Sequence, residues 1–489
     1  MYKLQSLKKP ASLLLLAAML SGICLSGCGD NPQSGGDTTA PDETTSQAAV
    51  TEKNRLEELG DRDLTGKTLK VLDANGSPNL HQNIPAEEEN GEAINDALIK
   101  RDRYISERYK ISIKYEQTSP GEGTTAFKNS VLADDKNYDM VISVIGGIGS
   151  GIGSLASAGV LTDLNSLEYH SLDRELCSPL IYDSCKINDI MYYTAGDIAP
   201  SIYCAPGCIY LNKKLASEYK ISVDEVYDSV KTGKWTIDYL GTLTKDLSRD
   251  LNGDDVLKAD DDFFGMLNEP NGLSAAVFLA GAGVDLSYID KDGNLATNLG
   301  SEHTIDAIEK LKSVLTDAKY ENLHSAFIGD RAIFMMHYVS SAYTRYRDME
   351  SDFSILPIPK YDEKQSTYRS LVNTWCNSFI GVALNADKDY VPFVMEALAF
   401  YSHLNVRPLA YDMAFKQKGA RDERDAEMLD TIFDTLYLDF NSFSNFGGSI
   451  DKLSTALFSG GSFASDWASI KDSTIAEMEK FSKAWTKSE

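Results

Sequence analysis

Residues 188–215 read NDIMYYTAGDIAPSIYCAPGCIYLNKKL and contain two apolar runs separated by an irregular segment. The first run, 190–194, follows an Asn-Asp turn, and the second, 208–211, stops at Asn212, a residue type that caps helices. A polar break between two strands is typical of a chain that leaves one lobe and enters another. An ordinary hairpin with a short loop gives the same local pattern. The rest of the chain has to decide between the two.

The N-terminal segment has the layout of an export signal. Residues 1–27 carry lysines at positions 3, 8 and 9, no acidic residue, and the apolar run ASLLLLAAML. The run ends Leu25-Ser26-Gly27-Cys28, which resembles the lipobox of bacterial lipoproteins, in which the cysteine is lipidated after cleavage. A plain signal peptide with a chance cysteine is the alternative. We expect lipidation at Cys28 and a location on the extracellular face of the cell membrane.

Residues 28–65 are expected to form a disordered tether. From Gly29 to about Arg55 the chain consists mainly of small, polar and acidic residues, which cannot bury enough surface to offset the entropy of ordering. Such a tether would hold the body roughly 30 Å from the membrane on average. No later stretch is apolar over the roughly 18 residues that a spanning helix needs.

Composition excludes several partners. The 489 residues include 47 basic and 73 acidic ones, for a net charge of −26. Such a charge repels nucleic acid and anionic lipid headgroups, so neither is an expected partner. The body is also longer than a single core usually supports, which favours two lobes or more.

The cysteine and histidine residues indicate neither a disulfide framework nor a zinc site. Beyond the signal and the lipid site, an odd number of cysteines at scattered spacing indicates no disulfide framework. A pair between Cys204 and Cys208 and two buried free thiols both remain open. The 6 histidines are dispersed, with no HxxxH or Cys/His grouping for zinc.

The first part of the body has an α/β pattern. Strand-like runs at 68–72, 111–115 and 138–145 alternate with helical spacing at 94–109 and around 127–132. The third strand is continuously apolar, as in a buried parallel strand. The pattern predicts a lobe with a parallel sheet.

The glycine-rich loop after the third strand is a candidate ligand site. It contains Gly151-x-Gly153-x-x-Ala156, a loose dinucleotide fingerprint. We reject a nucleotide cofactor because the strand is third in its lobe and the helix breaks at Gly159. An exported chain also has little access to nicotinamide nucleotides. We therefore expect no organic cofactor, but a glycine loop at the carboxyl end of a parallel strand is where α/β sheets bind ligands.

Six motifs follow one another in a specific order: YDMVIS, the glycine loop, LASAGVLTDL, MYYTAGD, IYLNKKL and GKWT. From about Thr68 to the C-terminus the chain thereby resembles the extracellular solute-binding proteins of ABC importers, the maltose-binding type in particular. The resemblance implies an α/β, two-lobe periplasmic-binding-protein-like fold of type II. Each lobe would be a mixed, mostly parallel sheet flanked by helices, and hinge crossings would join the lobes.

On this basis the opening stretch is interpreted as the first crossing. The prolines at 357 and 359 fix φ and lack ladder donors, which suits a stiff return crossing. The expected segments are lobe 1 at 66–197 plus about 360–402, lobe 2 at 203–355 plus about 403–489, and hinges near 196–205, 353–361 and 400–405.

The resemblance also implies a ligand cleft. Glu269 and Asn271 would face it, although both could instead belong to an exposed, capped helix start. Tyr338 is either a stacking residue or a core aromatic. The predicted ligand contacts are Asn75, Gly147, Asp197, Tyr203, Glu269, Asn271, Tyr338, Asn373 and Trp375.

The acidic segment 250–262 has the spacing of a calcium loop. It offers side-chain oxygens at positions 1, 3 and 5, a carbonyl at 7 and a carboxylate at 12. Asp255 replaces the usual glycine at position 6, but Asp tolerates the left-handed conformation better than most residues. A solvated acidic turn is the alternative. The predicted structural Ca²⁺ ligands are Asp250, Asn252, Asp254, Val256 and Asp261.

These features predict a solute receptor rather than an enzyme. Lobe closure needs a bistable hinge and differential ligand contacts, not a catalytic group. Sugars are the expected ligands because aromatic rings stack on their C–H faces while carboxylates and amides bind hydroxyls. The expected partners are ABC permease subunits and, through the N-terminal lipid, the membrane. The protein is expected to be a monomer. A membrane-anchored polysaccharide hydrolase and a surface sensor without a permease are the alternatives.

Overall fold

The structure is a computed structural model. It describes residues 56–74, 83–145, 151–169, 182, 184–204, 206–315, 323–373, 379–410 and 423–485. Cys28, Asn75, Gly147 and Trp375, on which predictions were made, lie outside these residues.

The described chain alternates strands with helices. In chain order the strands are β1 (Thr68–Ala74), β2 (Ser112–Gln117), β3 (Met140–Ser143), β4 (Thr194–Ala195), β5 (Gly207–Asn212), β6 (Phe264–Leu267), β7 (Tyr288–Ile289), β8 (Leu295–Ala296), β9 (Ala332–Tyr338), β10 (Phe353–Leu356), β11 (Ser370–Leu371), β12 (Phe379–Val382) and β13 (Leu436–Tyr437).

The helices are α1 (Ala93–Tyr109), α2 (Pro120–Ala133), α3 (Gly151–Ser157), α4 (Lys213–Glu218), α5 (Val223–Lys231), α6 (Ile237–Thr244), α7 (Gly272–Gly281), α8 (Glu302–Lys312), α9 (Leu323–Ile328), α10 (Ser341–Thr344), α11 (Val391–Asn405), α12 (Glu423–Asp434), α13 (Phe440–Ser444), α14 (Ser449–Phe458) and α15 (Phe463–Lys483).

The first sheet has the strand order β2-β1-β3-β12-β4. Strands β1, β2 and β3 are parallel, and β12 runs antiparallel to both β3 and β4. All four residues of β3 are buried, because helices cover both faces of a parallel sheet. The carboxyl ends of β1, β3 and β4 therefore lie at one edge.

The second sheet has the order β10-β5-β9-β6. Strand β5 is antiparallel to β9 and β10, and β6 is parallel to β9. Along β5 the side chains alternate between faces: Cys208 and Tyr210 belong to an apolar core shared with the first sheet, while Ile209 and Leu211 belong to a second core. The shared core joins the two lobes.

The first connection between the sheets runs from Gly196 to Pro206 and includes a 3₁₀ turn at Pro200–Cys204. It enters β5 at Gly207, where a Cβ atom would lie 2.6 Å from the side chain of Val277. Only glycine fits this close approach. At the far end of β5 the Asn212 side chain accepts from Leu215 N at 3.0 Å, which confirms the predicted cap.

The return connection lies later than the sequence predicted. Residues 353–356 form β10, which pairs with β5 inside the second sheet, and Ile358 and Leu371 pack in the second core. The chain reaches the first sheet only at Phe379. The prolines at 357 and 359 instead end an edge strand, a position where missing N–H donors cost least. Residues 360–371 thus belong with the second sheet.

The predicted crossing near 400–405 falls inside the last turns of α11. This helix packs on α1 beside the first sheet. Residues 400–405 are therefore helical and belong with the first sheet, instead of forming a separate hinge segment. Of the later helices, α12 packs on β10 and α14 packs on α7, both beside the second sheet.

Candidate functional site

The strand ends of the second sheet converge on the first connection. Strands β6 and β9 end, and β5 begins, at the same edge. Val339 N donates to Pro206 O at 3.1 Å and Ser340 N donates to Cys204 O at 3.0 Å, which holds the end of β9 against the connection. The predicted residues Glu269 and Tyr338 follow or end these strands. Both are half-buried.

Glu269 lies beside two histidines. Its Oε1 is 3.8 Å from Nε2 of His337, which is on β9. The ring of His324, from α9, has its centroid 4.6 Å from that of His337. Among the described residues these three side chains are the group of metal-ligating type whose ligand atoms all lie within 4.8 Å of one another.

Hydrogen bonds orient this cluster. The Tyr346 hydroxyl lies 2.8 Å from Nδ1 of His324, and the Ser341 hydroxyl lies 2.5 Å from Nδ1 of His337. Asn271 donates from Nδ2 to Oε2 of Glu269 at 2.9 Å. The side-chain oxygen of Asn271 also caps α7 by accepting from Ser274 N at 2.8 Å. Asn271 therefore has the capping role weighed above and also fixes Glu269.

The electrostatics of the cluster favour an ionised Glu269 carboxylate beside a neutral His324 imidazole. Burial, with His337 and Arg345 nearby, lowers the pKa of His324 to about 3. The adjacent imidazole of His337 lowers the pKa of Glu269. Near neutral pH, Glu269 is thus ionised and His324 is neutral.

Buried polar atoms without partners mark both sheet edges. Asp73 Oδ1 in β1 and Ser143 Oγ in β3 have no hydrogen-bond partner among the described residues. The same holds for both side-chain atoms of Asn268, which precedes Glu269 and is 1% exposed. Buried polar groups normally have partners, so these atoms are candidates for contacts with a ligand.

Tyr338 and Asn373 lie near the connections. The Tyr338 ring lies 5.1 Å from that of His337. Asn373, also half-buried, follows Val372, which forms an isolated antiparallel bridge with Pro206. The two predicted residues therefore stand where the two connections meet.

Asp197 and Tyr203 belong to a buried hydrogen-bond network, and their predicted contact with a ligand stays a prediction. Tyr203 donates its hydroxyl proton to one carboxylate oxygen of Asp197, and Nδ1 of His403 lies 2.5 Å from the other. Asp197 is 1% exposed and Tyr203 5%. One carboxylate oxygen thus forms a bond within the first connection, and the other joins the connection to α11.

Arg101, which the sequence did not single out, supports the same junction. It is 1% exposed on α1, and its Nη1 donates to Ile198 O at 3.1 Å and to Ser402 Oγ at 3.2 Å. Its Nε donates to Asp102 at 2.8 Å. One guanidinium thus links α1, the first connection and α11.

The cluster of Glu269 with two histidines could not be predicted from the sequence, because the three residues have no characteristic spacing along the chain. His324 is on a helix and His337 on the following strand, and Glu269 comes from a third element. The parallel pairing of β6 with β9 brings Glu269 and His337 together, and the packing of α9 on β9 adds His324. Cys204 and Cys208 are free buried thiols, and burial raises the pKa of the Cys204 thiol to about 11.

The described part of the glycine-rich loop begins at Gly151, with φ at +71°. A Cβ atom there would lie 2.5 Å from Ile145 O, so the backbone requires glycine. Gly151 N donates to Thr124 Oγ1 at 3.0 Å. This glycine serves the packing of α3 on β3.

The acidic loop folds as successive Asx turns. Asp250 accepts from Gly253 N and Asp255 N, each at 2.7 Å, and Asp254 accepts from Val256 N at 3.0 Å. Asp255 has φ +60°, the left-handed conformation that the spacing required. The ammonium group of Lys258 pairs with Asp254 and would have to move aside for a cation.

Calcium at this loop stays a prediction. We expect millimolar Ca²⁺ to raise the melting temperature after EDTA treatment, because a cation would relieve repulsion among the carboxylates. Asp250→Asn should remove the shift, whereas Asp292→Asn, on an exposed turn, should retain it. Differential scanning calorimetry measures both. A melting temperature insensitive to Ca²⁺ would contradict the prediction.

The two sheets, joined by these connections and by a shared apolar core, give the described chain a two-lobe α/β architecture. No family model matches the sequence, and no curated protein matches it. In the described part of the chain no helix has the length and apolar character needed to cross a bilayer.

Solved structures share this fold. The extracellular solute-binding protein from Staphylococcus aureus in complex with maltose is 9% identical, with a TM-score of 0.56 over 85% of this chain and 98% of that one. The cyclic alpha-maltosyl-1,6-maltose binding protein from Arthrobacter globiformis is 13% identical, with a TM-score of 0.54 over 84% and 99%. The chain has the two-lobe α/β fold of the solute-binding proteins of ABC importers, which confirms the predicted fold class.

Proposed function

We propose that this chain is the extracellular solute-binding lipoprotein of an ABC importer. It captures a carbohydrate between its lobes and delivers it to permease subunits. The observation that carries the proposal is a set of buried polar atoms without hydrogen-bond partners among the described residues, at the ends of strands in both sheets: Oδ1 of Asp73, Oγ of Ser143 and the side-chain amide of Asn268. Hydroxyl groups of a sugar both donate and accept, so they match such mixed groups.

Two further features support a sugar. Tyr338 offers a half-buried aromatic ring at the edge of the second sheet. Glu269, held by Asn271, offers a carboxylate whose Oε1 has no hydrogen bond within the described residues. Charge-assisted bonds from hydroxyls to a fixed carboxylate are among the stronger polar contacts.

The membrane anchor belongs to the same proposal. The lipobox-like LSGC and the acidic, polar segment after it support lipidation at Cys28 and a tethered body. Fractionation of producing cells tests this part, because a Cys28→Ser variant should move from the membrane fraction to the medium.

The test of ligand capture is a thermal-shift screen with linear and cyclic maltooligosaccharides, followed by chromatography of the incubated sugars. We expect at least one sugar to raise the melting temperature without being consumed, since binding to the native state alone stabilises it. Tyr338→Ala should weaken binding of that sugar roughly tenfold or more, because stacking area is lost.

Tyr288→Ala is the matched control for this variant. Tyr288 is 37% exposed on the β7–β8 hairpin, and its loss should leave the affinity unchanged. Hydrolysis of a stabilising sugar would favour the polysaccharide hydrolase instead. Absence of any shift across the screen would reject a maltooligosaccharide ligand.

A further inference from the structure

Three side chains of metal-ligating type come from three separate elements at the edge of the second sheet. They are Glu269 after β6, His324 on α9 and His337 on β9, and their ligand atoms lie within 4.8 Å of one another. His337 is 9% exposed, and the other two are half-buried. Packed elements thus hold the group in place while leaving access to a small ion.

The spacing suits an ion rather than a direct contact. Glu269 Oε1 and His337 Nε2 are 3.8 Å apart, too far for a hydrogen bond. Two ligands at about 2.1 Å from a tetrahedral metal ion are roughly 3.4 Å apart. A contraction of a few tenths of an ångström would therefore complete this side of a coordination sphere.

The hydrogen bonds around the group leave the metal-facing atoms free. Tyr346 bonds to Nδ1 of His324, Ser341 to Nδ1 of His337, and Asn271 to Oε2 of Glu269. Among the described residues, Nε2 of His324 has no hydrogen-bond partner. Metal-binding histidines usually have the other ring nitrogen fixed in this way, because the outer bond orients the ring.

Nearby charge is mixed. The Glu269 carboxylate supplies one negative charge, and Arg345, at the end of α10, is a positive group that acts on His324. The protein as a whole carries −26, which raises the local concentration of cations.

We propose that Glu269, His324 and His337 form a binding site for a divalent transition-metal ion of the zinc class, with Oε1 and the two Nε2 atoms as ligands. Imidazole and carboxylate donors suit this class, whereas Ca²⁺ and Mg²⁺ prefer oxygen ligands alone. Three protein ligands leave a fourth position for water or for a donor atom of a bound solute. The site does not depend on the carbohydrate proposed above.

The test is a Zn²⁺ titration of the purified full-length chain after treatment with EDTA, in competition with a chromophoric chelator. Millimolar Ca²⁺ in the buffer blocks oxygen-only sites such as the acidic loop. We expect one equivalent of zinc to bind with micromolar or tighter affinity. In a Co²⁺ titration, visible d–d bands should report a four- or five-coordinate site with nitrogen and oxygen ligands.

His324→Gln, His337→Gln and Glu269→Gln should each weaken this zinc binding more than about tenfold, since even an outer-shell partner is worth roughly 10–100-fold. His303→Gln is the control, because His303 bonds to Ala282 O at 3.1 Å in another part of the fold. Melting curves recorded without metal show whether each variant is folded. If a histidine variant fails to fold, Glu269→Gln still tests the site, because glutamine has nearly the same shape as glutamate.

Two results would overturn the proposal: no zinc equivalent under these conditions, or zinc binding that survives all three substitutions in folded protein. Because zinc is titrated without sugar, failure of the carbohydrate screen would leave this result intact. Conversely, sugar binding by a protein that binds no zinc would overturn only the metal site.

Discussion

Replacing Asp73 with asparagine is expected to stabilise the protein by several kcal/mol at pH 7.5 and to have little effect at pH 4. The Asp73 carboxyl is 0% exposed in β1, and its single hydrogen bond is from Gln117 Nε2 at 3.0 Å. Burial raises the pKa of Asp73 from 3.8 to about 7. The folded protein therefore keeps a proton that the unfolded chain releases.

The direction of the effect follows from proton linkage. Between pH 3.8 and about 7 the unfolded chain binds fewer protons at this residue, so the free energy of unfolding falls as pH rises. The slope approaches about 1.4 kcal/mol per pH unit, which gives about 4 kcal/mol over the whole window. Asparagine stays neutral, and its oxygen can still accept from Gln117.

Urea unfolding at intervals from pH 4 to pH 7.5 measures the difference between the variant and the unsubstituted protein. Taking this difference cancels the titration of other groups. Asp292→Asn, in which an exposed carboxylate is lost, should show no such trend with pH. If Asp73→Asn leaves the pH profile unchanged, then Asp73 is ionised in the folded protein and the buried-acid interpretation is wrong.

Arg101→Met is expected to lower the free energy of unfolding by about 3 kcal/mol or more, because it removes one partner of a buried ion pair. Asp102 would keep only the Tyr115 hydroxyl, at 2.7 Å. The Ile198 carbonyl and the Ser402 hydroxyl would also lose their shared donor. The substitution should therefore reduce the amide protection of the first connection as well as the global free energy of unfolding.

The control for this variant lies on the same helix. Arg103 is 57% exposed and pairs with Glu89 at 3.1 Å, so Arg103→Met should cost less than about 1 kcal/mol. Urea unfolding compares the two variants, and hydrogen exchange reports amide protection in residues 198–204. Equal losses for both variants, with protection of the connection unchanged, would show that Arg101 does not brace it.

The sequence predicted the architecture better than the path between lobes. Apolar runs and helical spacing depend on residues that are close in sequence. Strands such as β3 and helix caps such as Asn212 could therefore be predicted from the sequence. The return crossing was misplaced because prolines at 357 and 359 suit both a hinge and the end of an edge strand. Only the pairing of β10 with β5 distinguishes these, and pairing is not local.

The sequence allows candidate site residues to be placed where a strand ends, but not where distant elements meet. Glu269 and Tyr338 follow from the ends of β6 and β9. Asp197 was predicted to contact the ligand because it lies in a crossing, whereas its contact with His403, from a helix 206 residues later, could not be predicted from local pattern. His324 and His337 meet only through the tertiary fold.

The two connections described above leave the first sheet on neighbouring strands. Strand β4 pairs with β12, and farther along Pro206 bridges to Val372. The bridge ties these two connections to each other between the sheets. We expect the lobes to rotate about this bridged pair of connections, so that interlobe distances in complexes with different ligands fall on one arc.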